Sequence, residues 1–404
     1  MNFNEVLKIN PKVCEIEEFN PVGEYGGIKA ITYEAMPIDE KRTKVFAYIG
    51  YPANITQKVP AIVLVHGGCG TPYLPWIKMW NERGYAAIAM STTGDFPTEV
   101  NAGIDPGGWD ASVCSWHHGL YGSFSEEGFA DAPDNDGMKN SDKEYDKQWM
   151  YHAVCQTILA HNILRADKSI DKNRIGICGV SWGGVITSIV IGYDTRFAFA
   201  VPIYGSGYLV ESMGSVRSCF RNGGNLEPWL AEKRFSNVKI PVLWLCWNKD
   251  KAFSLNSNSK SYIDTSKNSE FTRLSSVNEM YHSHEHAWVR KEPFAFADSV
   301  CCCGKKTPVF KDYEGALEIY NPDKMEVISV KLYYITEPMS YFTYEQGGIR
   351  MAQDWKIADI KYDGDKLKYI IPEKAREYYF ELTCKMDGEE YVTCSYLMKQ
   401  SNAE

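Results

Sequence analysis

A serine between glycines follows an apolar stretch in IGICGVSWGG (residues 175–184), and this short segment constrains the fold more than any other. The apolar stretch predicts a strand, and a helix would begin near Trp182. A sharp strand-to-helix turn strains its central residue, so side chains two positions before and after it would collide with backbone. Gly179 and Gly183 avoid those collisions. The pattern predicts Ser181 as an exposed nucleophile, and a helix N-cap serine is the alternative.

Strand-like and helix-like segments alternate through the first three quarters of the chain. VPAIVLVHGG (59–68) is a continuous apolar run, typical of a strand buried on both faces. Later strands alternate with helical segments such as KQWMYHAVCQTILAHNILRA (147–166), and HAWVRKEPFAFADSV (286–300) predicts a closing helix. This alternation indicates an α/β fold with a doubly wound, mostly parallel sheet.

The pattern of apolar and polar residues changes beyond Lys305. The segments become short, alternating and aromatic, which predicts a small C-terminal all-β sandwich. We therefore expect an α/β catalytic domain over residues 1–305 and a β-sandwich domain over residues 306–404. Two insertions, at about 95–145 and 206–238, leave the carboxyl ends of strands. Ligands of open α/β sheets bind there, so the insertions are predicted to form pocket walls.

Composition limits the classes of partner. The net charge of −9 and the lack of a basic stripe disfavour nucleic acid and an anionic membrane surface. The first residues carry Glu and Lys without the apolar core of a signal peptide, and no run is long enough to span a membrane. We expect a cytoplasmic protein whose 12 cysteines stay reduced. Oligomeric state stays open, with a homo-oligomer as one option.

A serine nucleophile needs a base, an orienting acid and an oxyanion hole, and on sheets of this kind they follow in the chain order Ser, acid, His. IPVLWLCWNKD places Asp250 just past the end of a strand after Ser181. Asp250 is therefore the predicted acid, and a solvated loop aspartate is the alternative.

The base is predicted in NEMYHSHEHAW (278–288), which holds three of the eight histidines. His282 is the predicted base because the small Ser283 permits a tight loop, and His284 is the runner-up. A metal site made by the alternating histidines is the other interpretation, but the nearby serine and carboxylate have a simpler use. We expect no metal and no cofactor.

The oxyanion hole is predicted at VLVHGGCG, where glycines let backbone N–H groups approach a developing charge. Gly68 or Cys69 would contribute one N–H and Trp182 the other. His66 is predicted to fix this loop rather than to act as a base. The segment DAPDNDGMKNSDK (131–143) fails the EF-hand pattern at both ends and is predicted to be a solvated loop, although a nonstandard ion site there stays open.

Four separated segments resemble bacterial α/β-hydrolases related to acetyl xylan esterases and dienelactone hydrolases. The resemblance spans about residues 25–300 and lies in the four ranges 66–91, 146–208, 241–262 and 280–288. It implies hydrolysis of small acyl esters, with Ser181, Asp250 and His282 as the catalytic triad. The trailing sandwich also resembles a C-terminal module of some members.

These observations predict a serine carboxylesterase for a small-molecule ester, with a sugar ester or an aromatic or polycyclic ester as candidate substrates. The predicted substrate-binding residues are Trp109, Trp116, His117, His118, Tyr121 and Tyr204. Two alternatives stay open: a serine peptidase of the prolyl type, and an inert binding or scaffold protein.

Overall fold

The structure is a computed structural model that describes residues 3–104, 115–212, 214–222, 224–313, 316–337, 355–358, 360–363 and 366–400. In chain order, its strands are β1 (Val13–Glu15), β2 (Lys29–Ile38), β3 (Lys41–Gly50), β4 (Val59–Val65), β5 (Ala86–Met90), β6 (Asp95–Pro97), β7 (Trp116–His118), β8 (Ile170–Val180), β9 (Phe199–Ile203), β10 (Leu243–Trp247), β11 (Arg273–Val277), β12 (Val309–Tyr313), β13 (Ala316–Tyr320), β14 (Glu326–Ile335), β15 (Lys356–Ala358), β16 (Lys361–Asp363), β17 (Lys366–Lys368), β18 (Glu377–Met386), β19 (Glu389–Cys394) and β20 (Met398–Lys399). Its α-helices are α1 (Leu74–Glu82), α2 (Trp149–Ala166), α3 (Trp182–Tyr193), α4 (Gly214–Asn222), α5 (Leu255–Ser266), α6 (His284–Trp288) and α7 (Glu292–Cys301).

The main sheet has nine strands in the order β1-β2-β3-β5-β4-β8-β9-β10-β11. The strands from β5 to β11 in this order pair in parallel, and β1, β2 and β3 extend one edge by antiparallel pairing. Every residue of β4 is buried, as expected for a central strand covered on both faces. The predicted α/β fold class is therefore confirmed.

The closing helix differs from its prediction. The segment 286–300 was expected to be one helix, whereas α6 ends at Trp288 and α7 begins at Glu292. Pro293 lies in the first turn of α7, where its missing N–H costs nothing, and a proline favours a new helix start there. No helix of the described residues combines the length and the apolar character that crossing a bilayer requires.

The C-terminal strands form two antiparallel sheets, one ordered β12-β13-β17-β16 and the other β15-β14-β18-β19, with β20 also paired to β18. Side chains from both sheets fill a second hydrophobic cluster, separate from that of the main sheet. The members of this cluster with the lowest exposure are Ile319, Leu332, Phe380, Leu382 and Cys384. This arrangement is the predicted β-sandwich.

The sandwich packs against the last strands of the main sheet. Ser275 of β11 donates a hydrogen bond to the carbonyl oxygen of Val392 in β19 at 2.6 Å. Close by, the amide of Asn278 donates to Oε2 of Glu381 in β18 at 2.9 Å. Glu381 is 6% exposed, and burial raises its pKa from the ordinary value of 4.5 to about 7. A carboxyl group therefore titrates inside the contact between the sandwich and the main sheet.

The replacement Glu381→Gln should make stability less dependent on pH. A raised pKa means that Glu381 binds its proton more tightly in the folded protein than in the unfolded chain. The contribution of Glu381 to the free energy of unfolding is therefore most favourable at pH values below its pKa in the unfolded chain. This contribution declines as the pH rises towards 7. We expect the free energy of unfolding of the variant, relative to the parent, to increase by on the order of 2 kcal/mol between pH 5 and pH 8. Urea unfolding at both pH values measures this difference.

The matched control is Glu390→Gln, an exposed glutamate on the neighbouring strand β19. Its stability relative to the parent should be the same at pH 5 and pH 8. If the free energy of unfolding depended on pH equally in the parent and in Glu381→Gln, Glu381 would not be a buried carboxyl group that titrates in this range.

Candidate active site

The turn between β8 and α3 holds Ser181 in an unusual backbone conformation, with φ of 56° and ψ of −120°. A positive φ in a non-glycine residue costs on the order of 1–3 kcal/mol and persists only where the surroundings enforce it. Here the surroundings are tight, since a Cβ atom at Gly183 would lie 2.0 Å from the carbonyl oxygen of Val65. A Cβ atom at Gly179 would lie 2.1 Å from the carbonyl oxygen of Gly183. Both glycines are thus required for the strained turn that presents the serine.

Three distant side chains meet at the carboxyl ends of the parallel strands. Nε2 of His282 lies 2.8 Å from Oγ of Ser181, and Nδ1 of the same ring lies 2.7 Å from Oδ2 of Asp250. An ionised carboxylate only accepts hydrogen bonds, so Nδ1–H donates to Asp250. Nε2 of the neutral ring is then left to accept the hydroxyl proton of Ser181. This arrangement can deprotonate a serine as it attacks a carbonyl carbon.

The carboxylate of Asp250 is held on both oxygens. Oδ1 accepts backbone N–H groups from Ala252 at 2.8 Å and from Phe253 at 3.0 Å, which leaves Oδ2 for His282. The residue is only 4% exposed. Its orientation is therefore set by the turn that follows β10, before any substrate binds.

Aromatic rings fix the plane of the imidazole. The ring of Tyr204 stacks on His282 with centroids 4.7 Å apart, and that of Phe253 stacks on it at 5.6 Å. The hydroxyl of Tyr204 donates to the carbonyl oxygen of Tyr281, the residue before the histidine. Tyr204 is fully buried, so its predicted place in the substrate pocket is corrected to a place behind the histidine.

His284 has a different environment from His282. Its Nε2 accepts the backbone N–H of Gly67 at 2.9 Å, and the ring is 7% exposed. Burial, together with the nearby rings of His66 and His282, lowers the pKa of His284 to about 3, so the ring stays neutral and can serve as an acceptor. The structure thus joins His282 to Ser181 and uses His284 to hold the glycine loop after β4.

His66 holds the same loop from its other side. Its Nδ1 donates to the carbonyl oxygen of Gly67 at 2.8 Å, and its Nε2 accepts the N–H of Thr92 at 3.0 Å. Burial lowers the pKa of His66, which favours this neutral form. Its position matches the loop-fixing role expected from the sequence.

The loop after β4 packs closely against the serine turn. A Cβ atom at Gly67 would lie 2.9 Å from Cβ of Ser181, and one at Gly68 would lie 2.9 Å from Cδ1 of Trp182. Cys69 follows with φ of 56°. Trp182 begins α3, where backbone N–H groups and the positive end of the helix dipole face the serine. That Gly68 or Cys69 and Trp182 donate to an oxyanion stays a prediction.

The predicted substrate-binding residues fall in different places. Trp109 lies outside the described residues. Trp116 is corrected to a core position, because it is 8% exposed and its indole N–H donates to the carbonyl oxygen of Ala102. His117 and His118 are exposed on β7, and the half-buried ring of Tyr121 packs on His117 with centroids 4.7 Å apart. Substrate contact by these three stays a prediction.

The loop 131–143 lies next to the glycine loop that follows β4. The amide nitrogen of Asn135 would lie 3.7 Å from a Cβ atom at Gly68. The carboxylate of Asp136 accepts the backbone N–H groups of Met138 and Asn140, both at 2.9 Å. Its oxygens therefore stabilise a turn, and the role of this insertion as a pocket wall stays a prediction.

Two features of the site were missed by the sequence analysis. His284 was considered only as a base, and no pattern in the sequence shows that its nitrogen would meet Gly67. Phe253 follows the acid by three residues, and this spacing could have suggested a ring near the catalytic loop.

The replacement His284→Phe tests the separation of roles. It keeps a ring of similar size but leaves the buried N–H of Gly67 without its acceptor, which costs about 1–3 kcal/mol and loosens the loop. We expect kcat/KM for p-nitrophenyl acetate to fall about 10-fold, which corresponds to about 1.4 kcal/mol in the barrier. His282→Phe should reduce it at least about 10³-fold. Equal losses in the two variants would contradict the assignment of His282 as the base.

A family model described as the prolyl oligopeptidase family of S9 peptidases matches residues 132–239, which include Ser181. None of the curated proteins compared with the chain matches it. Among solved structures, an acetyl xylan esterase from a Paenibacillus species is 15% identical, with a TM-score of 0.50 over 74% of this chain and 92% of the esterase.

Two other solved structures give lower TM-scores. The acylaminoacyl peptidase of Pyrococcus horikoshii is 17% identical, with a TM-score of 0.47 over 71% of this chain and 43% of the peptidase. Acetyl xylan esterase 1 from a Thermoanaerobacterium species is 15% identical, with a TM-score of 0.43 over 68% of this chain and 84% of the esterase. The chain thus spans less than half the length of the peptidase.

At such identities, likeness to solved structures concerns the fold. The mostly parallel sheet agrees with the shared fold of the Paenibacillus esterase, and the segment similar to the S9 peptidases contains the strained turn. The chain therefore has the α/β-hydrolase fold, and on this fold a serine at the end of β8 stands within reach of a histidine and a buried aspartate.

Proposed function

We propose that this protein is a serine carboxylesterase that cleaves esters of small acyl groups through an acyl-enzyme intermediate. The observation that carries the proposal is the continuous hydrogen-bonded line from Ser181 through His282 to Asp250. Each member has one role in that line: nucleophile, base and orienting acid.

The reaction would proceed in two halves. Oγ of Ser181 attacks the ester carbonyl while Nε2 of His282 takes its proton, and Asp250 stabilises the imidazolium. The imidazolium then returns the proton to the leaving alcohol, and the acyl group stays on Oγ. In the second half, water attacks the acyl-enzyme with His282 as base again, and release of the carboxylic acid restores the free serine. Backbone N–H groups near Gly68 and Trp182 would stabilise both oxyanions.

A small acyl group is supported by the surroundings of Gly68. The indole of Trp182 covers this glycine so closely that a Cβ atom there would lie 2.9 Å from Cδ1. The indole itself packs against Trp149 and Phe220, with centroid distances of 5.2 and 6.1 Å. We infer that this aromatic wall beside Gly68 restricts the space for a long acyl chain. The fold shared with an acetyl xylan esterase over most of that enzyme's length also favours an ester substrate.

A serine peptidase is the second candidate. The match of residues 132–239 to the prolyl oligopeptidase family favours it, because the matched segment contains Ser181. The triad geometry suits both reactions, since esters and amides pass through the same kind of tetrahedral intermediate. The two candidates therefore differ in leaving group rather than in catalytic side chains.

A substrate panel separates these candidates. The purified protein is incubated with p-nitrophenyl acetate, butyrate and octanoate, with an acetylated sugar, with a feruloyl ester, and with an acylaminoacyl and a prolyl p-nitroanilide. We expect the acetyl esters to give the highest kcat/KM, with the octanoate lower and the anilides uncleaved. Faster cleavage of an anilide than of every ester would contradict the esterase proposal and favour the peptidase.

We further propose that the protein works in a reducing compartment such as the cytoplasm. Five cysteines among the described residues are fully buried or nearly so and have no disulfide partner: Cys155, Cys178, Cys246, Cys384 and Cys394. Free thiols in such number are typical of reducing compartments. Quantifying free thiols in protein purified without reductant tests this proposal.

A further inference from the structure

Strand β18 of the sandwich contacts both loops that carry the proposed acid and base. Tyr379 of β18 reaches Asn248, which lies two residues before Asp250. Glu381 of the same strand accepts a hydrogen bond from Asn278, which lies four residues before His282. One strand outside the α/β part thus touches the supports of two triad members.

The contact with the acid loop is buried and has two hydrogen bonds. The amide nitrogen of Asn248 donates to the hydroxyl oxygen of Tyr379 at 3.2 Å, and the indole N–H of Trp355 donates to the carbonyl oxygen of Asn248 at 3.0 Å. Asn248 is 1% exposed and Tyr379 is fully buried. Asn248 begins the turn in which the N–H of Asp250 donates to the carbonyl oxygen of Trp247 at 3.0 Å. The sandwich therefore holds this turn on both its side chain and its backbone.

The acid loop and the base loop are also bonded to each other at this point. The amide of Asn248 donates to the side-chain oxygen of Asn278, and the indole N–H of Trp247 donates to the carbonyl oxygen of Asn278 at 3.3 Å. The aromatic ring of Tyr379 is itself fixed, because it stacks on Tyr333 with centroids 5.1 Å apart and meets the edge of Trp355 at 5.0 Å. A rigid aromatic group in the sandwich thus sets where the two loops meet.

We propose that Tyr379 and Trp355 of the C-terminal sandwich are positioning residues for the triad, which act through Asn248 on Asp250. This inference rests on the proposed function, since it assumes that Asp250 orients His282. Nδ1 of His282 and Oδ2 of Asp250 are 2.7 Å apart, and displacement of the carboxylate by a fraction of an ångström would weaken that bond. The sandwich then takes part in catalysis through the support that it gives to Asp250.

The test is a double-mutant cycle between Tyr379→Phe and Asp250→Asn in the full chain. The readout is the second-order rate constant for labelling of Ser181 by a fluorophosphonate, which reports activation of the nucleophile without depending on the identity of the substrate. We expect Tyr379→Phe to slow labelling about 10-fold in the parent and less than about twofold in the Asp250→Asn background. A merely structural role would slow labelling equally in both backgrounds.

Two further variants complete the test. Tyr378→Phe is the matched control, because Tyr378 is the preceding residue of β18 and packs in the other hydrophobic cluster; its labelling rate should equal that of the parent. Trp355→Phe removes the second hydrogen bond to Asn248. If thermal melting shows that Tyr379→Phe does not fold, the same labelling experiment is carried out with Trp355→Phe. Unchanged labelling in a folded Tyr379→Phe or Trp355→Phe variant, or an equal loss in both backgrounds, would overturn the positioning role. An unlabelled parent would contradict the triad itself.

Discussion

Replacing Ser181 with alanine is expected to lower kcat for p-nitrophenyl acetate at least about 10⁴-fold, because it removes the oxygen that is placed to attack the carbonyl carbon while His282 takes its proton. Stability should change little, since alanine at this position would share the strained backbone conformation of the serine. Steady-state hydrolysis and fluorophosphonate labelling, read by mass spectrometry, measure the loss of activity and of the labelled residue.

Ser188→Ala is the matched control for this variant. Ser188 lies in the same helix α3, is fully buried, and donates its hydroxyl to the carbonyl oxygen of Gly184 at 2.9 Å. It should keep the parent's kcat and its labelling at Ser181. If Ser181→Ala retained more than a few per cent of parental kcat, the acyl-enzyme mechanism would be wrong.

The replacement Asp250→Asn is expected to reduce kcat about 10⁴-fold while the fold stays intact. The reason lies in the two oxygens of Asp250. Oδ1 of Asp250 accepts two backbone N–H groups, so the amide oxygen of an asparagine would have to occupy the same position. The NH₂ group of the asparagine would then face Nδ1 of His282. His282 is forced to carry its proton on Nε2, where it cannot accept the proton of Ser181. The measurement is kcat with p-nitrophenyl acetate, together with a thermal melt.

Asp171→Asn provides the comparison, because Asp171 is a partly exposed carboxylate near the start of β8 that pairs with Arg174 at 2.9 Å, away from the triad. It should retain parental kcat. An Asp250→Asn variant that is only two- or threefold slower would show that another group orients the histidine.

Much of the fold could be predicted from local patterns. The run 59–65 is apolar at every position except its proline, so it had to be buried on both faces, and it became the central strand β4. The turn at Ser181 could be predicted because steric exclusion around a strained residue demands glycine at 179 and 183. The break between α6 and α7 was missed, although Pro293 in the first turn of α7 is a sequence signal for a new helix start.

The site was only partly predictable for a related reason. Chain order indicated a serine, a later carboxylate and a still later histidine, but order alone did not separate His282 from His284. Both follow the last strand of the main sheet, and they are two residues apart. Two of the aromatic residues that were predicted to bind substrate, Trp116 and Tyr204, are instead buried in packing. An aromatic residue near the end of a strand has the same sequence pattern whether it packs in the core or lines a pocket.

The sequence by itself determined the strand-turn-helix at Ser181, the parallel sheet and the sandwich that follows, because these depend on glycine sterics and on the period of apolar residues. Tertiary structure alone decided that His282 meets Ser181 while His284 accepts the N–H of Gly67, and that Tyr379 reaches Asn248. The physical reason is that hydrogen bonds between residues one hundred or more positions apart depend on how the loops pack, to within a few tenths of an ångström. No local pattern of residue types encodes such distances.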